Sequence, residues 1–526
     1  RVVTFGLDPD ADLVAGAMEA GPTGLSFTVF VKDFFPVPGR RGRRKLRVHL
    51  SLLGEHVVYA ALCAVAVGLT LDVPLEEALA ALAAIKPLEG RLNPLPGKNG
   101  SLLLDDTFNA SPASTLAALD ALSLFSSGQR FAVLGSLFEH APAHTLELRQ
   151  LEADALSNIG ARVALVADFL IAQGDGAQPI VQQAHRAGLA REQILSTYTH
   201  EDTLRGLTGR LAPGDVVLVK GTVESRMERV VAGLLADPAK AKTSLVRQSA
   251  GWRKVKLLQP GRPTWLEVDL EAIAHNVRHV VGMVGPDVKI LAVLKADGYG
   301  HGAGRVARTV LNNGAEYLGV ASINEGVALR QAGVVAPVLV LGYTPAWQAR
   351  ELVLHRLSAT VFSIDVARAL DRAAGELDSR ASVHVKVDTG MGRLGLLPEE
   401  VVPLAQHLSD LPNLELEGIF THFSVADSDP EYTHWQSDRF RQVLAELAAV
   451  GIEFPLVHAA NSAAILTLPE SHFRMVRLGI AMYGLDPSPQ IRCPADLRPA
   501  LAFKTQVAQV KALPPGSYVS YGNTYH

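Results

Sequence analysis

Cysteine is almost missing from this sequence. Its 526 residues hold two, Cys63 and Cys493, far apart in the chain and in no metal-ligand spacing. That excludes a disulfide framework and a thiolate metal site, and fits a reducing compartment. Charge of one sign is scarce as well: 49 Lys and Arg against 53 Asp and Glu leave a formal net charge of −4. No broad cationic field is available for a phosphate backbone, so nucleic acid is not an expected partner. Long hydrophobic runs are absent. The longest, Val57 to Leu71, contains Thr70 and is closed by Asp72; it falls short of the ~20 apolar residues a membrane helix needs. It reads as a buried helix, and no membrane span is expected. There is no G-x-x-x-x-G-K-[ST] phosphate loop, and the chain opens at Arg1 with neither methionine nor a signal-like segment. Both ends read as cut, which makes this a piece of a longer cytoplasmic protein.

With 48% hydrophobic and 19% charged residues, the chain is ordered and globular, with length for roughly three or four domains. Between Ala232 and Thr264 the sequence turns polar and basic around Pro238, Lys240, Lys242, Lys254, Lys256, Pro260, Gly261 and Pro263. This is the clearest linker. Downstream, eight short β-rich runs recur at Ile290–Leu294, Tyr317–Ala321, Val338–Leu341, Ala359–Phe362, Val383–Val387, Leu416–Phe420, Pro455–His458 and Met475–Leu478. Most are separated by amphipathic stretches such as Ser437–Val450, the pattern of a (β/α)8 barrel. After Pro499 strands follow without helices, so a β-rich domain is expected to begin there. Upstream, a helical region from Gly54 to Lys86 precedes a second α/β alternation, with strands at Leu102–Asp105, Phe131–Leu134, Val163–Val166 and Val216–Val219. This predicts a doubly wound domain, with Ser111-Pro112 capping a helix through Leu122. The expected segments are 1–100, 101–235, a linker at 236–263, a barrel at 264–497 and a truncated β domain at 498–526.

The run Ile290–Leu294 delivers Lys295 to the end of a barrel strand, followed by Ala296-Asp297-Gly298-Tyr299-Gly300-His301-Gly302. The C-terminal face of a barrel is its active face. Alone, Lys295 would pass for a solvated rim lysine. However, Lys386 through Arg393 follow the fifth strand, Thr421-His422 the sixth, Asn461-Ser462 the seventh, and Arg477-Leu478-Gly479-Ile480 the eighth. A surface ion pair for Arg393, a core histidine for His422 and a helix cap for Ser462 are each ordinary. Their convergence on one face is not.

With these residues in view, the stretch from about Thr264 to His526 resembles alanine racemase, a pyridoxal 5'-phosphate enzyme with a barrel and a β-rich C-terminal domain. The resemblance implies that Lys295, in Lys295-Ala296-Asp297-Gly298-Tyr299-Gly300-His301-Gly302, bonds the cofactor and serves as the base for D-alanine. Tyr521, in Val519-Ser520-Tyr521-Gly522, matches the opposing base for L-alanine. His422 and Arg477 match the groups that tune that tyrosine, whose free pKa is near 10. Arg477 also matches the cation facing the pyridine nitrogen, where it limits carbanion delocalisation and side reactions. Tyr299, Ser462, Gly479 and Ile480 match phosphate-binding positions, Arg393 the substrate-side arginine, and Lys386 a lysine that is carbamylated in some relatives. In those relatives the tyrosine acts across a homodimer interface, so a dimer is expected. What departs from the family is the ending, where the remaining segments of its β domain are absent.

Gly90-Arg91-Leu92, Asp105-Asp106-Thr107-Phe108-Asn109-Ala110-Ser111-Pro112, Val133-Leu134-Gly135 and Gly214-Asp215-Val216-Val217-Leu218-Val219-Lys220-Gly221 resemble a Mur ligase. The nearest type adds D-alanyl-D-alanine to the UDP-muramoyl tripeptide with ATP and Mg2+. Segment 1–100 would end its central domain and 101–235 form its C-terminal domain. One half would make D-alanine for peptidoglycan and the other consume its dipeptide. The phosphate loop would precede Arg1. Where the family has G-x-H-N-x-x-N, this chain has Gly54-Glu55-His56-Val57-Val58-Tyr59-Ala60; Lys220-Gly221-Thr222-Val223 stands for K-G-S-R. These changes remove polar contacts to the nucleotide, and a non-catalytic scaffold rivals the ligase. The Arg40, Arg41, Arg43, Arg44, Lys45 and Arg47 cluster reads as a solvated loop, or a surface for a nucleotide or acidic peptide.

The sequence thus points to a racemase fused to a ligase module of doubtful activity. The alternatives are a racemase or decarboxylase of another amino acid on the same barrel, or a non-catalytic carrier of pyridoxal phosphate. A dehydrogenase would leave Lys295 and Arg477 unexplained.

Overall fold

The computed structural model describes residues 2–32, 44–138, 146–249, 252, 262–494 and 496–525. The chain divides into two compact units, Arg1–Leu257 and Leu258–His526.

The first unit opens with a four-stranded sheet, β1 (Phe5–Gly6), β2 (Leu13–Gly21), β3 (Gly24–Val31) and β4 (Arg44–Leu50), in that order. Alternation along β3 turns Leu25, Phe27 and Val29 onto the helix Glu55–Thr70, which answers with Val58, Leu62, Val65 and Leu69. Val57 to Leu71 reads from sequence as a buried helix. Instead it buries one stripe against a single sheet and leaves Tyr59, Val67 and Leu71 exposed. Of the basic cluster, Arg40, Arg41 and Arg43 lie outside the described residues. Arg44, Lys45 and Arg47 fall on β4 rather than in a loop, with Lys45 over the Phe30 ring and Arg47 paired with Glu19.

A six-stranded sheet follows: β5 (Asn93–Pro96), β6 (Leu102–Asp106), β7 (Arg130–Leu134), β8 (Phe169–Gln173), β9 (Ile194–Thr197) and β10 (Val216–Lys220), in the order β5-β6-β10-β7-β8-β9. All pairs are parallel except the edge strand β5, as a doubly wound domain requires. Ser111 caps the helix Pro112–Ser123 through a capping box with Ser114. The strand expected at Val163–Val166 is instead the end of the helix Leu146–Val166. Ile159, Val163 and Val166 are buried at helical spacing, and β8 begins just beyond. The first part of the expected linker is folded too. Leu245 enters the core beside Leu234 and Leu235, and Arg247 bonds buried Glu228 at 2.8 Å and the Phe108 carbonyl at 3.0 Å. Lys254, Lys256, Pro260 and Gly261 lie outside the described residues.

The second unit is a closed parallel barrel of β12 (Lys289–Val293), β13 (Tyr317–Val320), β14 (Val338–Val340), β15 (Ser358–Val361), β16 (Ala381–Lys386), β17 (Leu414–Phe420), β18 (Leu456–His458) and β19 (Met475–Leu478). These are the eight expected runs, in chain order. Residues alternate between a helix-facing shell, such as Val383 and Val385, and a lumen filled by Leu291, Leu339, Leu456 and Met475. Thr264, expected to start the barrel, lies outside it. Strand β11 (Thr264–Val268) pairs antiparallel with β20 (Leu501–Thr505), a half-exposed pattern that no barrel strand shows. Beyond β20 most residues to 525 are exposed. Among the described residues no helix is long and apolar enough to cross a membrane.

Candidate active site

Lys295 follows β12 at its C-terminal end, and the chain turns there in an unusual way. Ala296, Asp297, Gly298 and Tyr299 have φ of 53, 54, 63 and 55°, one left-handed helical turn. Such geometry costs L-residues roughly 1–2 kcal/mol each, so something must hold it. Glu325 Oε1 accepts from the Ala296 N–H at 2.8 Å, while its Oε2 accepts from the Ala321 N–H at 2.7 Å. Asp297 Oδ1 accepts from the Ala303 N–H at 2.7 Å. The turn aims Lys295 over the Tyr299 ring, Nζ 5.5 Å from its centroid. Strain of this kind concentrates where geometry serves chemistry.

Lys295, Tyr299, Lys386, Arg393, His422, Ser462, Arg477, Gly479 and Ile480 all line one cavity of about 570 Å3 at this end of the barrel. Lys386 is the last residue of β16 and Arg477 lies within β19. Arg393 sits on a loop held by Asp388, whose Oδ1 accepts from the N–H groups of Gly390, Met391 and Gly392. Arg477 is 3% exposed. It donates to the carbonyls of Thr421 and Ala459, both at 2.8 Å, to His422 Nδ1 at 3.0 Å and to His458 Nδ1 at 2.9 Å. Burial brings its pKa down to about 9. Burial, then the charges of Arg477, Lys386, Arg393 and Lys295, push His422 down to about 2. His422 is therefore a neutral imidazole, protonated on Nε2 because Nδ1 accepts from the guanidinium. Burial and the neighbouring Arg477 and Arg393 lower Lys386 to about 8.

A small polar cup forms beside Lys295. Ser462 Oγ accepts from the N–H groups of Gly479 at 3.0 Å and Ala481 at 3.3 Å. A side chain at Gly479 would project into the cup, its Cβ 3.3 Å from Tyr299 Oη and 3.5 Å from Ser462 Oγ. Two hydroxyls, a glycine that leaves room for a ligand and four cations around the cavity suit a phosphorylated carbonyl compound bound near a lysine. The residues present fit pyridoxal phosphate.

Tyr521 is not brought to this cavity. It is 99% exposed, in the segment beyond β20. Two contributions went unread in the sequence. Glu325 holds the lysine turn, and His384, His458 and Glu417 form a polar layer beneath Arg477. Inward alternation on β16 places His384 on the same side as Lys386, a signal the sequence does contain. Nothing local marks Glu325.

A barrel with a lysine at its active mouth and an anion cup beside it defines the class of lysine-bearing (β/α)8 enzymes. Known proteins narrow it. The profile "Alanine racemase, N-terminal domain" matches residues 268–487, and "Mur ligase, glutamate ligase domain" matches residues 90–223. The alanine racemase of Desulfovibrio desulfuricans is 47% identical over 266 residues, covering 50% of this chain and 72% of that protein. That of Desulfosudis oleivorans is 49% identical over 272 residues, covering 50% and 70%. The solved alanine racemase of a D-cycloserine-producing Streptomyces lavendulae is 35% identical with a TM-score of 0.49, covering 51% of this chain and 71% of that one. The chain belongs to the alanine racemase family and carries a Mur ligase domain upstream of its barrel.

Proposed function

We propose that the chain racemises alanine with pyridoxal phosphate, using Lys295 and Tyr521 as its two bases. The observation that carries this reading is the arrangement facing Lys295: a buried Arg477, cationic at neutral pH with a pKa of about 9, bonded to a His422 held neutral. When bound, pyridoxal phosphate acidifies the amino acid Cα–H by accepting the resulting negative charge. The chain supplies the rest. Tyr299, Ser462 and the backbone at Gly479 and Ile480 would hold the phosphate. Arg477 would hold the pyridine end as a donor, which would disfavour protonation of the ring nitrogen. Lys295 Nζ takes or returns the Cα proton on the D-alanine face. Tyr521 Oη does so on the L-alanine face, supplied by a second copy of the chain because in this copy it lies on the surface. The Nε2–H of His422 would donate to the Tyr521 oxygen and so hold it in place as a base. Arg393 meets the substrate carboxylate.

The test follows Cα-proton exchange of L- and D-alanine in deuterated water. Lys295→Ala is expected to lose bound-cofactor absorbance, and Tyr521→Phe to lose exchange of L-alanine selectively. A folded, cofactor-loaded protein that exchanges neither enantiomer overturns the assignment in favour of another amino acid or a carrier role.

For the upstream unit, one observation favours scaffolding over ligation of D-alanyl-D-alanine to the UDP-muramoyl tripeptide with ATP and Mg2+. Lys220 is 0% exposed and engaged by Asp106 at 2.5 Å and the Asn109 carbonyl at 3.1 Å, leaving it committed inside the sheet.

A further inference from the structure

Barrel lumens are usually filled by branched apolar residues. Beneath Arg477 this one is not. Strand β16 turns His384 inward, and β18 does the same with His458; both are 0% exposed. On β17 the ladder breaks register: Val383 lies opposite Leu416 but His384 opposite Gly418, leaving Glu417 as an extra residue. A bulge of this kind re-aims a side chain. Here it brings Glu417 Oε2 within 3.2 Å of His384 Nε2, while Tyr317 and Ser358 donate to the same carboxylate at 2.8 and 2.7 Å. Gly418 makes the space: a Cβ there would lie 2.3 Å from His384 Nδ1.

The chain of bonds has only one possible direction. A guanidinium donates and never accepts, so His458 Nδ1 accepts from Arg477 Nη1 at 2.9 Å. A neutral His458 then carries its proton on Nε2, and donates it to His384 Nδ1 at 3.0 Å. His384 in turn carries its proton on Nε2 and donates to Glu417. Burial, with Arg477 alongside, holds His458 well below the ordinary imidazole range, and Phe420 stacks on its ring at 4.7 Å. Among the described residues no carboxylate bonds Arg477 directly; its other acceptors are backbone carbonyls and His422. A buried cation without an anion is costly. The bonded chain that leaves it ends on one.

We propose that Glu417 is the remote counter-ion of Arg477 and, through His458 and His384 fixed as Nε2–H tautomers, a positioning residue for the guanidinium. Its bearing on racemisation rests on the function proposed above; the network itself does not. The experiment labels histidine with 15N in the full chain, cofactor-free and loaded with pyridoxal phosphate, and assigns the two rings through His384→Gln and His458→Gln. Both rings are expected as Nε2–H forms. Glu417→Gln removes the charge but leaves the direction, which Arg477 sets. Both rings should stay Nε2–H, the His384 Nε2 signal should shift as its acceptor becomes a neutral carbonyl, and kcat should fall about tenfold with KM within about twofold, as for outer partners that orient a reactive group. Glu417→Asp, which keeps the charge, should recover much of the kcat. A wild-type ring found protonated or as Nδ1–H, or unchanged His384 signals and kcat in Glu417→Gln, overturns the inference. Expected tautomers in a protein that neither loads cofactor nor exchanges alanine would leave the network standing and reject the racemase reading instead.

Discussion

Replacing Glu325 by Gln tests how Lys295 is held. Three non-glycine residues, Ala296, Asp297 and Tyr299, stand in the left-handed region just after Lys295. At roughly 1–2 kcal/mol each, the turn stores about 3–6 kcal/mol. Glu325 supplies two charge-assisted bonds, at 2.8 and 2.7 Å, one to that turn and one to the end of β13. A carboxamide preserves the shape but offers one acceptor, so one N–H loses its partner and the other bond loses its charge. The expected loss is about 2–3 kcal/mol. For a unit of this size that lowers the melting midpoint by roughly 4–12 °C. The visible absorbance of bound pyridoxal phosphate reports on the barrel alone, so its loss on heating is the assay, with the rate of cofactor loading as a second readout. A variant that melts within about 1 °C of wild type and loads at the same rate would show that the turn does not depend on Glu325.

Two further outcomes are expected. In the upstream unit Lys220→Met should destabilise by about 3–5 kcal/mol in urea unfolding, because Asp106 is left buried without its partner; adding Asp106→Asn should restore much of the loss, and a near-neutral single variant would contradict the pairing. At Lys386, with burial and neighbouring cations setting its pKa at about 8, the free amine that reacts with carbon dioxide gains population as pH rises through that value. Each carbamate formed there releases one proton and adds a negative charge facing Arg393. A 13C carbamate signal from labelled bicarbonate should grow across this range and vanish in Lys386→Arg; a wild-type protein without it above that pH would refute the carbamate.

Each barrel strand is a short apolar run bounded by turns, so all eight could be read from nearest-neighbour pattern, and with them the mouth where Lys295, Lys386, His422, Ser462 and Arg477 meet. Short-range pattern failed where one local string suits two structures. Val163–Val166 is β-branched enough for a strand, yet continues the periodicity of the helix before it. Arg247 lies in a polar stretch that looks like linker, yet buried Glu228 claims it. Tyr521 carries a legible motif, yet it is exposed and does not line the cavity.

What the sequence determined by itself is therefore the set of elements and the chemistry at their ends, since both depend on residues a few positions apart. Only the tertiary structure decided that β11 pairs with β20 across more than two hundred residues, that a left-handed turn presents Lys295, and that Glu417 answers Arg477 through two histidines. Those depend on which strands closure makes adjacent and on a single-residue bulge. Neither is a property of any one segment.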